Sequence, residues 1–493
     1  MVFSPDKAAL RLQGGFAIFF TAGRLTGKEK TACSGFPKTR GLWYHIAMEK
    51  EAVPQTAPEI PAAGRREKNT RFDEKHIDVL DGIRALAVLG VLWFHFWQQN
   101  WISPYFKLPF LTSLGLSASV SLDFLPRAGF LFVDLLLFLS AFCLFLPYVR
   151  ASLDGAALPK AGQFYKKRIA RIVPSYYFAV FVILFAVTLP SGEYGSAEEC
   201  LRDLLPTLTF TQTLFPNILL GTKLNGVLWT AAIEMQFYLF FPLLAAAFVK
   251  KPGWTYLGMA AVAALYLRGF ALNNPDSIRT TLNQLPGFFG VFANGMAVAY
   301  LYVLFARRVK RSAQLSAVAL CALIAGIWIL VGMMKAAPGT NPVHLWQAEN
   351  RFKLSLVFAL IVVSSALTFS GVRWFFSNAM MRFLSAISYN LYIWHQWISV
   401  KFKQWKIPYW TGDTPPNMTG DRVWQWKYTA LILAGAFLAA ILATYFIERP
   451  AAKWILKPRS HDEREPLLSV CCEELPQENA EAGEQAEKEN HEQ

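Results

Sequence analysis

Charge is scarce in this chain: Asp, Glu, Lys and Arg make up 17% of its 493 residues, against 54% apolar and 15% aromatic. With a mean hydropathy of +0.30, that balance excludes an ordinary soluble domain, of which about a quarter is charged. Cysteine is sparse too. The six, Cys33, Cys143, Cys200, Cys321, Cys471 and Cys472, contain no CxxC and no metal-ligand spacing, so neither a disulfide framework nor a metal site is expected. No secretory leader is expected either, since residues 1–47 hold just one short apolar patch, Gly15 to Phe20.

What the chain does have is long apolar runs. Stretches of roughly 18 residues or more recur along it, each long enough to cross about 30 Å of hydrocarbon as a helix. They lie near 79–97, 128–149, 172–190, 228–249, 254–272, 285–306, 313–334, 353–371, 380–402 and 427–447. The expected fold is therefore all-α, a polytopic membrane bundle of about ten transmembrane helices. Basic residues crowd alternate connections: Arg150, Lys160, Lys166, Lys167, Arg168 and Arg171 in the second, Lys250 and Lys251 in the fourth, Arg307 to Arg311 in the sixth, Arg373 and Arg382 in the eighth. The positive-inside bias makes these cytoplasmic, and an even number of spans puts both termini there as well.

The net charge of +14 thus reports topology in a lipid bilayer, with no nucleic acid implied. The longer connections, 98–127, 191–227 and 403–426, face outward, and Leu201 to Phe215 is apolar enough to lie at the interface as a partial helix. Residues 1–75 form an N-terminal segment expected to be disordered, with Met48 as the expected true start; residues 459–493 form an acidic disordered cytoplasmic tail. The domain proper is expected at 76–458.

Ionisable side chains inside spans are costly, so each is a candidate for function or for an interior pair. Arg84 and His95 share one stripe of the first helix, eleven residues and about 16 Å apart. One extended ligand along the helix can meet both: an arginine suits phosphate and a histidine suits proton abstraction. Pairing of Arg84 with Asp81, with His95 resting at the interface, is the plainer alternative. Asp134, Glu234 and His395 occur at a depth similar to His95, and a carboxylate beside an imidazole would hold its tautomer. Either carboxylate fits that role, and either can instead be an interhelical strut. Arg168 and Arg171 stand at i, i+3 after the aromatic pair Phe164-Tyr165, one face suited to a diphosphate. The His76/Asp81 spacing matches the pattern of glycerolipid acyltransferases, but that chemistry belongs to a soluble α/β domain not seen in this sequence.

Six segments in order, Leu-Asp-Gly-Ile-Arg-Ala at 80–85 with His95, Phe-Val-Asp-Leu at 132–135, Phe-Tyr-Lys-Lys-Arg-Ile-Ala-Arg-Ile at 164–172, Leu-Trp-Thr-Ala-Ala-Ile-Glu-Met-Gln-Phe-Tyr at 228–238, Ile-Ser-Tyr-Asn-Leu-Tyr-Ile-Trp-His at 387–395 and Phe-Ile-Glu-Arg-Pro at 446–450, resemble the acyltransferase-3 family of membrane acyltransferases. Its members O-acylate surface polysaccharides, peptidoglycan, antibiotics and related acceptors. The resemblance implies His95 as the essential histidine, with Arg84, Asp134 and Glu234 as its catalytic company. It implies Arg168, Arg171 and Arg84 as donor-binding residues, and Tyr389 and His395 in an acceptor or structural role. It also implies acyl-coenzyme A as donor substrate, no permanently bound cofactor, a glycan or other hydroxyl acceptor, and a multi-pass location in the cell membrane. Ala141 and Ala231-Ala232 depart from the family pattern. The acidic run after the last span leads us to expect no hydrolase-like domain there, which weighs against members that hand the acyl group to a second domain. A transporter or lipid-handling protein is the alternative reading, and it predicts inverted repeats that the two halves do not display.

Overall fold

The structure is a computed structural model that describes residues 77–107, 119–338 and 343–457. The expected N-terminal segment with Met48 and the acidic tail lie outside the described residues. The principal elements are α1 (Val79–Asn100), an antiparallel ribbon of β1 (Tyr105–Lys107) and β2 (Ser119–Ser121), α2 (Phe132–Leu153), α3 (Ala161–Ile183), α4 (Ala197–Leu208), α5 (Trp229–Lys250), α6 (Pro252–Ala264), α7 (Leu285–Arg308), α8 (Ala313–Ala336), α9 (Val343–Leu367), α10 (Ser370–Ser377), α11 (Ala379–Gln404), α12 (Arg422–Leu442) and α13 (Arg449–Leu456).

Among the described residues eight helices, those built on α1, α2, α3, α5, α7, α8, α9 and α12, are long and apolar enough to cross a bilayer. The expected span at 254–272 is α6 and its continuation, which bends by 112° into Pro275–Thr281 and makes a ninth if the bent pair counts as one. α11 has the length, 26 residues, but its composition is that of an interior helix. It lies between α1 and α12 and buries Ser385, Ser388, Asn390 and His395, so protein surrounds the side that a lipid-facing span would make apolar. Length and apolarity alone therefore do not reach the expected ten. The start of α9 also departs from expectation: it begins ten residues before the apolar run at 353, and this brings Arg351 inside the bundle.

Close approaches by glycine set the central packing. A Cβ on Gly295 of α7 would sit 2.6 Å from the Phe138 carbonyl oxygen of α2, and one on Gly82 of α1 would collide with the Phe376 backbone of α10. Small residues let membrane helices touch backbone to backbone where apolar burial alone gives no preference. The segment expected at the interface, Leu201 to Phe215, is α4 and the turns after it. α4 is capped by Ser196, leaves Leu201 and Leu205 exposed and hangs from α3 through Tyr176 and Tyr177, whose hydroxyls donate to the Thr207 and Leu208 carbonyls.

Candidate active site

A cavity of about 830 Å³ opens between α1, α2, α3, α5, α11 and α13. Three helices bring basic side chains to its wall: Arg84 from α1, Lys167, Arg168 and Arg171 from α3, and Arg449 and Lys453 from α13, with Lys457 just beyond it. The other side of the wall carries Ser140, Glu234, Tyr238, Tyr389 and Tyr392. Glu234 lies within hydrogen-bonding reach of Ser140 and Tyr238 and in the fields of Arg84 and Arg168; Ser140 Oγ and Tyr238 OH are 3.1 Å apart. The Arg168 guanidinium lies 6.0 Å from the Tyr238 ring centroid, and its Nε is buried with no hydrogen-bond partner. A buried guanidinium donor without an acceptor is suited to an anionic guest.

Arg171 is held differently. Its NH1 is 2.6 Å from Glu448 Oε1, while Asn390 Nδ2 donates to Glu448 Oε2 at 2.6 Å and to Thr444 Oγ1 at 2.9 Å. Glu448 reaches this position from a π-helical turn, Ala443–Glu448, between α12 and α13; such turns re-aim side chains that a regular helix would point elsewhere. Tyr389 completes the join by donating from its hydroxyl to the Ile172 carbonyl at 3.1 Å. The two expected donor arginines are thus distinct: Arg168 presents an open donor to the cavity, and Arg171 fastens α3 to the segment after α12.

His95 and His395 meet. His395 Nε2 lies 2.9 Å from His95 Nδ1, and His395 Nδ1 lies 2.7 Å from the Tyr392 carbonyl and 3.1 Å from that of Leu391. Carbonyls only accept, so the hydrogen of neutral His395 is on Nδ1 and its Nε2 accepts from His95 Nδ1–H. That assignment leaves the His95 Nε2 lone pair for chemistry. The side chain in hydrogen-bonding contact with His95 is the imidazole of His395, where the sequence led us to expect a carboxylate, Asp134 or Glu234. Beyond the pair, Trp394 and Trp397 of α11 and Trp405 just after it follow one another with successive ring centroids 5.9 and 6.1 Å apart.

Asp134 does not join this arrangement. It is fully buried and pairs with Arg351, whose Nε is 3.2 Å from Asp134 Oδ2. Arg351 also donates from NH1 to the Leu282 carbonyl at 2.7 Å and stacks 3.9 Å above the Phe288 ring centroid. This is the interhelical strut that the sequence left as an alternative for Asp134, and Asp134 is not among the cavity's lining residues. Arg84 and Asp81 likewise go separate ways. Arg84 lines the cavity and its NH2 lies 3.8 Å from Cys143 Sγ, whereas Asp81 accepts from Ser385 Oγ at 2.9 Å.

The acyltransferase domain family matches residues 77–448, well over half of the chain. The chain belongs to the acyltransferase-3 family. Together with its apolar helices, that membership makes it a multi-pass membrane protein. It is 21% identical over 402 residues to the peptidoglycan O-acetyltransferase OatA of Listeria monocytogenes, covering 78% of this chain and 57% of that protein. It is 21% identical over 341 residues to a Staphylococcus aureus protein provisionally named an O-acetyltransferase, covering 65% and 50% respectively. A similarly named acetyltransferase of Acidianus two-tailed virus is 25% identical over 342 residues, covering 69% of this chain and 88% of the viral protein. The chain spans about half the length of the two bacterial relatives. No solved structure matches it.

In the frame of the acyltransferase-3 family, all six conspicuous segments of the sequence contribute to the cavity wall, through Arg84, Val133, the basic run at 164–172, the block at 228–238, Tyr389 and the turn at 446–450. Arg351, Asn390 and the basic face of α13 are the residues that sequence reasoning missed. The last of these had a visible signal, Arg449, Lys453 and Lys457 at a four-residue spacing on a helix end.

Proposed function

We propose that the chain transfers an acyl group, acetyl by analogy with the names of its relatives, from acyl-coenzyme A to a hydroxyl of a cell-surface glycan or related acceptor. The reading includes ten spans in the cell membrane, with α11 and the bent α6 segment as the two that apolarity alone does not count, and both termini in the cytosol. The observation that carries it is the cavity. Its basic end suits a nucleotide diphosphate, and its far end reaches Val88, Tyr392 and Ile393, seven residues along α1 from His95, about 10 Å by helical rise.

In this reading the donor's phosphates rest on Arg168 and Arg84, and the narrow acyl-bearing arm runs between α1 and α11 toward the histidine pair. His95 Nε2 takes the acceptor hydroxyl proton as its oxygen attacks the thioester carbonyl. His395 Nε2, accepting from His95 Nδ1–H, fixes the tautomer and shares the positive charge as it forms. Collapse of the tetrahedral adduct expels coenzyme A thiolate, which the imidazolium reprotonates. Trp394 and Trp397 hold buried indole N–H groups that have no partner among the described residues, donors suited to a sugar hydroxyl.

Arg168→Ala tests the donor site, because the buried Nε of that guanidinium has no hydrogen-bond partner to lose. Charge-assisted contacts to phosphate are worth roughly 1.5–3 kcal/mol, so acyl-coenzyme A affinity is expected to fall at least about tenfold at unchanged protein level. Calorimetric titration of purified protein reads this directly. Unchanged affinity would remove the donor from this cavity. Arg171→Ala is a poorer probe, since it strands Glu448, which is 3% exposed, and so perturbs the fold as well.

A further inference from the structure

The cavity carries more positive charge than a diphosphate needs, and the excess is arranged on one face of one helix. Arg449, Ala452, Lys453, Leu456 and Lys457 line it at i, i+3, i+4, i+7 and i+8, the spacing of a single α-helical stripe. Trp454, 79% exposed, occupies another face of α13. Lys453 and Lys457 are exposed, as lysines at a helix end usually are, and both also border the cavity, on α13, which packs against α3. Lys167 of α3 borders the same space. Among the described residues, none of the three lysines has a carboxylate within ion-pair reach. Arg449, by contrast, is held over the Tyr445 ring at 4.3 Å, next to the Glu448–Arg171 pair. Lys453 lies one turn beyond it and Lys457 about two.

Resting on the donor reading above, we propose that Lys453 and Lys457, with Lys167 opposite, bind a phosphate monoester, namely the 3′-phosphate on the ribose of the donor nucleotide. A monoester dianion is compact and strongly charged, and mobile ammonium groups complement it, whereas the guanidinium of Arg168 suits the bridging diphosphate. The order along the cavity follows the order along the molecule: the monoester at the outermost turn of α13, the diphosphate near Arg168 and the acyl arm toward α11. An anionic lipid headgroup offers the same phosphate chemistry, so the test must separate the two sources.

The experiment compares coenzyme A with 3′-dephospho-coenzyme A, titrated into full-length protein in nanodiscs of zwitterionic lipid and, in parallel, of lipid containing phosphatidic acid. The wild type is expected to bind coenzyme A about tenfold or more tightly than the dephospho form, as for one to two charge-assisted phosphate contacts. Lys453→Gln/Lys457→Gln is expected to lose that preference while its affinity for the dephospho form stays unchanged, and Lys453→Arg/Lys457→Arg is expected to keep it. Absence of any preference in the wild type, or full preference in the glutamine variant, overturns the proposal. A variant that keeps the preference and loses only its response to phosphatidic acid reassigns the face to lipid. If neither nucleotide binds the wild type, the donor reading itself fails, an outcome distinct from binding without preference.

Discussion

His95→Ala is expected to reduce acyl transfer about 10²–10⁴-fold, roughly 3–5 kcal/mol in the barrier, while donor affinity stays near that of the wild type. The separation follows from the layout. His95 is two helical turns from the part of the cavity that Val88 borders, and the groups suited to phosphate lie at the other end. His395→Ala removes the acceptor of the His95 Nδ1–H contact without removing the base, so it is expected to fall between wild type and His95→Ala. His395→Gln, which retains an acceptor oxygen, is expected to recover part of the loss. Labelled acyl transfer to membrane glycan, with donor binding measured on purified protein, reads both quantities. A His395→Ala variant more impaired than His95→Ala would exchange the two roles.

Arg351→Ala is expected to destabilise the folded bundle by about 3–5 kcal/mol, the usual consequence of stranding one member of a buried ion pair. Asp134 is fully buried, and the Leu282 carbonyl loses its donor as well. Removing both charges together, as Arg351→Met with Asp134→Leu, is expected to recover most of the stability, because an apolar pair of similar volume escapes the desolvation penalty. Thermal unfolding in detergent measures the two variants. An Arg351→Ala protein as stable as wild type yet devoid of transfer activity would return Asp134 to the chemistry.

The lipid-facing part of this fold is written in the chain, because a span must be apolar over about 20 residues and its flanking loops must sort by charge. α2 and α8 are read that way within a few residues. The interior is harder to read. Val343 to Arg351 looks like a polar loop, yet it is the first turns of α9, and Arg351 there is paired with Asp134 of another helix instead of with water. Depth along a helix is legible from residue count, and it places His95 and His395 at one level; azimuth across three hundred residues of chain is not, so their contact was invisible. The same holds for Glu448, whose partner Arg171 lies far upstream and whose direction depends on a π-turn that no propensity announces. The basic stripe of α13 was legible in spacing and lacked only the cavity to give it meaning.

In the proposed reading, one bundle takes its donor from the cytosolic side and delivers the acyl group to the other. Purified protein reconstituted with one known orientation in sealed vesicles, holding labelled acetyl-coenzyme A on one side and a glycan acceptor on the other, tests it most directly. Labelled glycan is expected when the donor shares the side of Lys453 and Lys457, with no product when the two compartments are exchanged. Product formed only when donor and acceptor share a compartment would contradict the account.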